Sequence, residues 1–508
     1  MRHQGSLYFI VIGVFLLLVS GSFLTEGLSH VGMDNAVVSQ RMAEGFEDFW
    51  LPSLLSPGNP DRMNYLPLGY WIESRWFSLF GTDSFMAEKV YSVLTFFIIM
   101  ALMIWIWYLI GMPRRTGWVP LMCLITIPIV SWSATNNLLE STMTIFIMLS
   151  VALMLVSANG SHRARRMRQK VVVYIYVVLA ALSMELAFMV KGFSGLFPLF
   201  FPLLYWLVMI RVGNGDDQRS AVIEGLRYAI MSTVVIIVVW TVTLFVVILF
   251  SPDVYSHLYN YLHHQMIGGL LHVQTVASRF YIIYVLLVQA ILPLAMLSIV
   301  ALFRIKSRPF YRFVFFWRGG ERLTAIQVEH SKTGWLMLAL GLSGVLPIML
   351  GLKQQEFYVV PTLPFFAMAM ACLLYDLIED WLLGIDKLAH RILVAFAVLF
   401  FGSGLVLNIA SIHKINSNVE LLSDMKVILP YLGEGETVSV SNEIVQAPEV
   451  AEYFYRYKQV TFDSMPGREH FLSMYADAAK EIVGGGYYSD MGLPTQVYRV
   501  YELTVNSK

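Results

Sequence analysis

The sequence predicts an all-α polytopic membrane protein that carries a small α/β domain at its C-terminal end. Of its 508 residues, 57% are hydrophobic and only 14% are charged, whereas soluble globular proteins carry about 25% charged residues. Long apolar runs recur over residues 1–416, and the stretch from residue 417 onward lacks them. The net charge of +0 gives no reason to expect nucleic acid as a partner.

Apolar runs long enough to cross a bilayer predict about eleven transmembrane helices. The first is interpreted as a retained span, because its short basic head is followed by no small-residue cleavage site. The predicted spans cover residues 7–25, 86–111, 117–133, 138–157, 171–190, 193–210, 228–250, 280–303, 334–350, 357–376 and 391–410. Residues 1–416 are therefore predicted to form one transmembrane domain.

Lysine and arginine residues predict the orientation of these spans. They concentrate in alternate connections, notably residues 163–170 and 304–332, and such connections favour the cytoplasmic side. The N-terminus is then cytoplasmic. The loops 26–85 and 251–280 and the C-terminal domain, residues 417–508, are expected outside the plasma (inner) membrane.

The first outer loop contains two helical patterns of apolar residues. The apolar positions are Val38, Met42, Phe46 and Phe49 or Trp50 in the first pattern, and Leu68, Ile72, Trp76, Leu79 and Phe80 in the second. Both stretches are too short and too charged to span a bilayer, so they predict helices in the interface with an apolar face toward lipid. Asp34 precedes the first helix, where it can be an N-cap or a functional carboxylate.

Charged residues near the outer ends of spans are candidates for chemistry, because a charge in mid-bilayer costs about 2.5–3.5 kcal/mol. Glu140 begins the fourth span, and Lys191 lies where the fifth and sixth meet, with Glu185 as a potential partner. Either charge can also be a snorkelling residue. Lys353 and Tyr358 lie in a third outer loop, where cations suit a phosphate at headgroup depth.

Four histidines in the second outer loop raise the question of a metal. They are His257, His263, His264 and His272. Neutral imidazole is a common metal ligand, but the spacing matches no HExxH-like motif, and interfacial hydrogen bonding is the alternative. The two cysteines, Cys123 and Cys372, lie inside apolar runs and suggest neither a disulfide framework nor a thiolate metal site.

The C-terminal stretch alternates apolar and polar residues. This pattern predicts strands at 437–441, 459–462 and 497–505, with helices around 449–457 and 469–482. The sequence therefore predicts a small α/β domain on the outer face.

An ordered set of motifs over residues 5–410 resembles a known family. The motifs are Asp34, Arg41-Met42, Gly45, Trp50-Leu51-Pro52, Pro67-Leu68-Gly69-Tyr70-Trp71, Leu79-Phe80-Gly81, MVKGFSGLFP at 189–198 and LKQQEFYVVPTLP at 352–364. They resemble the C-type (GT-C) glycosyltransferases that use polyprenyl-phosphate sugars. The closest branch is the bacterial one, with the lipid A aminoarabinose transferase and relatives of the protein O-mannosyltransferases.

This resemblance implies roles for particular residues. It implies that Asp34 is the catalytic carboxylate serving the acceptor hydroxyl and that Glu140 is a second, supporting one. The residues expected at the donor phosphate are Lys191, Lys353, Tyr358 and Arg279, and those expected on the acceptor side are Arg41, Tyr65, Tyr70 and His264.

Two departures from the family pattern concern metal binding and the donor. Asp34-Asn35 stands where mannosyltransferases have Asp-Glu, and Tyr65-Leu66-Pro67 stands where the aminoarabinose transferase has Glu-Lys-Pro. The second change removes a glutamate proposed as a metal ligand in the family. No metal ligand is therefore predicted from the motifs, and a divalent metal stays open as a cofactor.

The expected activity is transfer of a sugar from a polyprenyl phosphate to a lipid, glycan or protein on the outer face of the membrane, with membrane lipids as neighbours. A lipid or sugar-lipid transporter is one alternative, although broken helices in paired halves are not evident in the sequence. An inactive assembly protein that keeps the GT-C fold is the other.

Overall fold

The computed structural model describes residues 4–50, 52, 66–81, 86–161, 167–209, 216–250, 252–268, 273–302, 325–373, 375, 387–474 and 488–503. The chain forms two compact units, each built from segments far apart in sequence. The first comprises Met1–Val19, Leu94–Ser133 and Glu140–Val406, and the second comprises Ser20–Val93, Ala134–Leu139 and Leu407–Lys508. The predicted division at residues 416 and 417 stays a prediction.

Helices dominate the described residues. In chain order, the α-helices are α1 (Gln4–Val19), α2 (His30–Glu44), α3 (Leu68–Phe80), α4 (Ala87–Leu109), α5 (Trp118–Ile125), α6 (Pro128–Ser133), α7 (Leu139–Ser161), α8 (Met167–Lys191), α9 (Phe201–Met209), α10 (Asp216–Phe250), α11 (Pro252–Asn260), α12 (Tyr281–Leu302), α13 (Ala325–Val345), α14 (Leu363–Leu373), α15 (Lys387–Ile409), α16 (Val419–Ile428), α17 (Asn442–Val445) and α18 (Pro448–Lys458). The 3₁₀ segments are Arg114–Thr116, Gly192–Phe200, Leu346–Leu350, Glu356–Thr362 and Leu429–Tyr431, and Tyr261–Ile267 is π-helical.

Eight helical stretches of the described chain are long and apolar enough to cross a membrane. They are Ala87–Leu109, Leu139–Ser161, Met167–Met209, Val222–Phe250, Tyr281–Ile299, His330–Leu350, Glu356–Leu373 and Arg391–Ile409, and Gly5–Val19 forms a shorter apolar helix. These positions confirm the polytopic prediction. The total of eleven stays a prediction, since the predicted fifth and sixth spans join in one stretch and the third forms α5 and α6.

Pro128 explains the break in the predicted third span. A proline has no backbone N–H and disfavours the helical conformation of the residue before it. Helix α5 ends at Ile125, and α6 begins at Pro128. Each piece is too short to cross a bilayer as a single helix.

Helix α2 begins one turn earlier than the sequence predicts. Its N-cap is Ser29, whose Oγ accepts a hydrogen bond from the Gly32 N–H at 3.3 Å, and it ends at Gly45, whose φ of 81° lies in the left-handed region. Asp34 therefore lies in the second turn of the helix. The interpretation of Asp34 as an N-cap is wrong, because Ser29 caps the helix. Ser29 was not predicted as the start, since no apolar repeat marks it.

The apolar face of α2 is covered by protein. Ala36, Val37 and Val38 are fully buried within the second unit, where α3 and α18 pack on the helix. The predicted lipid-facing orientation of α2 is therefore wrong, since an apolar stripe looks the same in sequence whether protein or lipid covers it. Helix α3 keeps Leu79 and Phe80 exposed, in agreement with the prediction for the second interfacial helix.

A five-stranded sheet completes the second unit. The strands are β1 (Thr437–Val440), β2 (Thr461–Asp463), β3 (His470–Ser473), β4 (Tyr488–Asp490) and β5 (Arg499–Leu503). Their order is β2-β1-β3-β5-β4, with β1 parallel to β2 and β3, and β5 antiparallel to β3 and β4. The predictions of three strands and of the helix at 449–457 are confirmed by β1, β2, β5 and α18.

The prediction of a helix around 469–482 is wrong where the chain forms β3. Residues 475–482 lie outside the described chain. Every residue of β3 is buried, because the strand lies inside the sheet between β1 and β5. A strand covered on both faces loses the polar-apolar alternation that marks half-buried strands. Its apolar run therefore resembles a segment of helix.

Helix α18 joins the C-terminal segment to α2 through buried polar contacts. Arg456 donates from Nη2 to Glu88 Oε2 at 2.9 Å and from Nη1 to Gln40 Oε1 at 3.2 Å. Its guanidinium lies 5.1 Å from the centre of the Phe77 ring. The Tyr453 hydroxyl accepts a hydrogen bond from the Leu28 N–H at 2.9 Å, directly before α2. These contacts hold α18 against both ends of α2.

Arg456→Met is expected to destabilise the protein strongly. The substitution keeps most of the apolar stem but leaves the buried Glu88 carboxylate without its cation, which costs about 3–5 kcal/mol. Arg468→Met is the matched control, because Arg468 also pairs with a carboxylate, Asp463 at 2.8 Å, but has 52% of its side chain exposed. Thermal unfolding of the purified variants in detergent, followed by tryptophan fluorescence, should show a large decrease in melting temperature for Arg456→Met and little change for Arg468→Met. Equal melting temperatures would contradict the assigned role of the buried pair.

Candidate functional site

In the second unit, Asp34 meets two other ionisable side chains. It lies one helical turn after His30 on α2, so both point to the same side of the helix. His30 Nδ1 is 3.2 Å from Asp34 Oδ1 and 3.3 Å from Glu452 Oε2 on α18. One ligand atom from each of the three residues lies within 4.8 Å of the others. Residues from the two ends of the chain thus form one cluster.

The cluster is closed on the side of α18 and open on the side of His30. The exposed fraction of the side chain is 0% for Glu452, 15% for Asp34 and 52% for His30. Burial raises the pKa of both the Asp34 and the Glu452 carboxyls, and the neighbouring charge of Glu449 raises both further. Direct contact with Glu452 also raises the pKa of Asp34. The two carboxyls therefore retain a proton to higher pH than exposed ones do.

A second buried network holds the opposite side of α2. Asn137 Nδ2 donates to Glu73 Oε1 at 2.6 Å, and Ser39 Oγ donates to Glu73 Oε2 at 2.8 Å. Asn35 Nδ2 donates to the Asn137 carbonyl at 2.9 Å. Because Asn35 and Ser39 lie on α2, these bonds fix the rotation of the helix and so the direction of Asp34.

Gly32 allows this close packing. A Cβ at this position would lie 2.0 Å from the Asn136 carbonyl oxygen, a distance that backbone atoms cannot accommodate. The segment Ala134–Leu139 can therefore approach the first turn of α2 only where the side chain is absent. The Asn136 side chain then accepts a hydrogen bond from the Ser29 N–H at 2.8 Å.

In the first unit, Lys191 and Glu140 form an ion pair. Lys191 ends α8, Glu140 lies at the start of α7, and the Lys191 ammonium donates a hydrogen bond to Glu140 Oε1. The structure thus pairs Lys191 with Glu140, and Glu185 as a partner of Lys191 stays a prediction. A catalytic role for Glu140 stays a prediction.

The turn after Lys191 requires glycine. Gly192 has a φ of 79°, and a Cβ there would lie 1.7 Å from the Tyr261 hydroxyl oxygen. That hydroxyl accepts a hydrogen bond from the Phe193 N–H at 3.3 Å. The Lys-Gly pair of the sequence therefore has a physical reason, since the turn that ends α8 at Lys191 has room for no side chain.

Lys191 also lies near the loop that carries Lys353 and Tyr358. Its Nζ is 5.3 Å from the centre of the Phe357 ring and 5.6 Å from that of Tyr358. Partial burial lowers the pKa of Lys353, and the positive charge of Lys191 lowers that pKa further. Two cations thus approach each other near the ends of spans, in an arrangement that favours an anion between them.

Gln354 positions this loop. Its side-chain amide donates to the carbonyls of Arg279 and Gly351 at 3.0 and 2.9 Å and accepts from the Ile282 N–H at 2.9 Å. Because Gln354 is buried and its neighbour Lys353 is half-exposed, the glutamine fixes the backbone from which the lysine extends.

The other predicted residues have different surroundings. Arg41 donates to Glu47 Oε1 from Nε at 2.9 Å and lies 5.4 Å from the centre of the Tyr455 ring. Tyr70 is fully buried. Arg279 is exposed and contributes its carbonyl to Gln354. Tyr65 and the side chain of His264 lie outside the described residues, so their predicted acceptor-side roles stay predictions.

His30, Glu452 and Gln354 are site residues that the sequence did not predict. A histidine four residues before Asp34 is a usable signal once α2 is known to begin at His30, since positions i and i+4 share a helix face. Glu452 carries no such signal, because nothing local connects the predicted C-terminal helix with the first outer loop. Gln354 is a neutral side chain between two motif residues, Lys353 and Tyr358.

Comparison with known proteins identifies the class to which this fold corresponds. A family model described as dolichyl-phosphate-mannose-protein mannosyltransferase matches residues 60–266, a range that includes Glu140 and Lys191. No curated protein matches the sequence. The family match and the shared fold together confirm the resemblance to C-type glycosyltransferases.

Among solved structures, the chain is similar to ArnT from Cupriavidus metallidurans. The crystal structure of ArnT bound to undecaprenyl phosphate superposes with a TM-score of 0.60 at 12% identity, covering 98% of each chain. The apo structure of the same protein gives a TM-score of 0.57 at 12% identity, covering 97% of this chain and 96% of that one. At this identity the similarity shows that the fold is shared, and it confirms the predicted fold class.

Glu73→Gln is expected to flatten the pH dependence of stability. Burial raises the pKa of Glu73 from 4.5 to about 8. As the pH rises through this interval the unfolded chain loses a proton that the folded chain keeps, so the free energy of unfolding falls. Glutamine is uncharged and can keep both contacts, since its Oε1 accepts from Asn137 Nδ2 and its Nε2 can donate to Ser39 Oγ.

Thermal unfolding between pH 5 and 8 measures this effect. Glu73→Gln should lose less stability than the wild type as the pH rises, whereas the exposed Glu434→Gln should follow the wild type. A wild-type slope retained in Glu73→Gln would remove Glu73 as a source of the pH dependence.

Proposed function

We propose that this chain transfers a sugar from a polyprenyl phosphate to an acceptor hydroxyl at the outer face of the plasma membrane. The observation that carries the proposal is the approach of Lys191 and Lys353 in the first unit, where burial and then the positive charge of Lys191 lower the pKa of Lys353. Like charges held near the ends of membrane spans need a counter-ion, and a lipid-borne phosphate is available at that depth.

A phosphodiester fits this pair of cations. It offers oxygens to more than one donor, and Lys191 and Lys353 extend from different segments of the first unit. Without donor, Glu140 balances the charge of Lys191. When the bond to the sugar breaks, negative charge accumulates on the leaving phosphate, and cations placed there stabilise the transition state more than the ground state.

Asp34 is proposed as the general base. The acceptor hydroxyl oxygen attacks the anomeric carbon, and the carbon–oxygen bond to the phosphate breaks with its electron pair leaving on the polyprenyl phosphate. The hydroxyl proton passes to the Asp34 carboxylate. The position of Asp34 inside α2 supports this role, because a carboxylate there makes no capping contact and is held by buried neighbours on the opposite helix face.

The concentration of Lys and Arg in alternate connections supports an N-terminus in the cytoplasm and a C-terminal segment outside. The donor is then a polyprenyl-phosphate sugar presented at the outer leaflet. A lipid, glycan or protein that reaches this leaflet can supply the acceptor hydroxyl.

Asp34→Asn is expected to abolish nearly all transfer while the protein folds normally. A positioned base contributes typically 10²–10⁴-fold to the rate, and asparagine has nearly the same shape without the ability to take a proton. The matched control is Asp48→Asn, since Asp48 is exposed on the chain that follows α2. Transfer of labelled sugar to membrane lipid and protein fractions by purified variants measures the effect. Near-normal rates for Asp34→Asn would exclude Asp34 as the base.

Lys353→Met is expected to weaken donor binding without unfolding the protein. The substitution keeps the apolar stem and removes the charge, and a hydrogen bond to a charged group contributes about 1.5–3 kcal/mol, so Kd should rise by roughly 10-fold or more. Lys191→Met should behave in the same way.

Lys170→Met is the control for these lysine variants, because Lys170 is exposed near the opposite end of α8. Saturation binding of polyprenyl phosphate to protein in nanodiscs gives Kd for each variant. Unchanged Kd values for both Lys191→Met and Lys353→Met would reduce these lysines to interface anchors.

A further inference from the structure

Helices α8 and α10 of the first unit meet at a carboxyl that lies well inside both helices. Glu185 is six residues before Lys191, which ends α8, so it lies about 9 Å from that end. Thr243 is seven residues before the end of α10 at Phe250, or about 10 Å from it. The two side chains contact each other. A carboxyl at this depth of a membrane span is costly without a polar or charged partner.

The contact with Thr243 supplies no positive charge to Glu185. The Thr243 hydroxyl donates its one proton to the Val239 carbonyl at 2.6 Å. Lys191 is on the same helix as Glu185, but its ammonium is bound by Glu140, and position 191 lies about 120° around the helix from position 185. A cation from another molecule is therefore a suitable partner for the Glu185 carboxyl.

The surface around Glu185 is apolar and exposed. Glu185 itself is partly exposed, and branched apolar side chains with exposed fractions between 37% and 53% flank both it and Thr243. These side chains are Leu182 and Leu186 on α8 and Val242 and Val246 on α10. Together with Glu185 they define the α8–α10 surface. Acyl chains satisfy the leucines and valines of such a surface, but they offer nothing to a carboxyl.

Helix α10 leaves room for another helix along this surface. Of its apolar stretch Val222–Phe250, 6% is buried inside the described protein, against 72% for Leu139–Ser161. The stretch has 29 residues, whereas a helix needs about 20 to cross a bilayer. A complete transmembrane helix can therefore pack beside α10 over its whole length.

We propose that the α8–α10 surface binds a partner transmembrane helix that carries a lysine or arginine at the depth of Glu185. The basic side chain pairs with the Glu185 carboxylate, and the residues around it pack on the leucines and valines of the surface. Pairing relieves two isolated charges in the membrane at once. A helix without a basic residue gains only the packing, so the charge gives the interaction its specificity.

The test uses the full chain, labelled with a fluorescence donor and reconstituted in phosphatidylcholine vesicles. Synthetic polyleucine transmembrane peptides carry the acceptor dye, and two of them differ only in having lysine or leucine six residues from one end. We expect saturable energy transfer in which the lysine peptide binds about 10-fold more tightly than the leucine peptide.

Variants assign the preference to Glu185. Glu185→Gln should lower binding of the lysine peptide to the level of the leucine peptide, whereas Glu185→Asp should retain most of the preference because it keeps the charge. Glu224→Gln is the matched control, since Glu224 is exposed near the other end of α10, and it should bind as the wild type does.

Two results would overturn the proposal. Equal binding of the two peptides to the wild type would assign the α8–α10 surface to lipid, and a lysine preference that persists in Glu185→Gln would place the contact elsewhere. Because binding is measured without a sugar donor or acceptor, a failure here leaves the proposed transfer reaction standing, and a loss of transfer leaves this surface standing.

Discussion

The packing of α18 on α2 is the interaction on which the second unit depends. Arg456 provides its anchor, since its guanidinium is buried with 1% exposure and pairs with the equally buried Glu88. Glu452 lies one turn before Arg456 on the same helix face, so the anchor also places the Glu452 carboxyl against Asp34. A buried ion pair contributes little net stability compared with an apolar pair of the same size. Its value here is that it defines one register of α18 on α2.

The first unit fixes its lysines by a different principle. Lys191 ends a long helix at a turn that only glycine can make, and Lys353 extends from a loop whose backbone carbonyls are held by Gln354. In both places the backbone is rigid while the charged side chain remains reachable. This combination suits the recognition of a mobile lipid phosphate, because the backbone is already ordered and loses little conformational entropy when the ligand binds.

The sequence predicted those features that depend on residues close together in the chain. The repeats in the first outer loop predicted α2 and α3. Lys191 beside Gly192, and Lys353 in the loop before Pro361, predicted the cations of the first unit. The true start of α2 depends on Ser29. The sequence of β3 resembles that of a helix because the sheet buries both faces of the strand. Glu452 could not be predicted, since its role comes from contacts with residues more than 400 positions away.

The contact between His30 and Glu452 spans 422 positions of the chain, which makes the order of synthesis relevant. Helix α2 is synthesised more than 400 residues before its partner helix α18. A nascent or truncated chain that ends before α18 contains Asp34 without the carboxyl that contacts it. The cluster is therefore completed only after α18 has been made, so that proteolysis or incomplete translation before α18 yields molecules that lack an intact Asp34 environment.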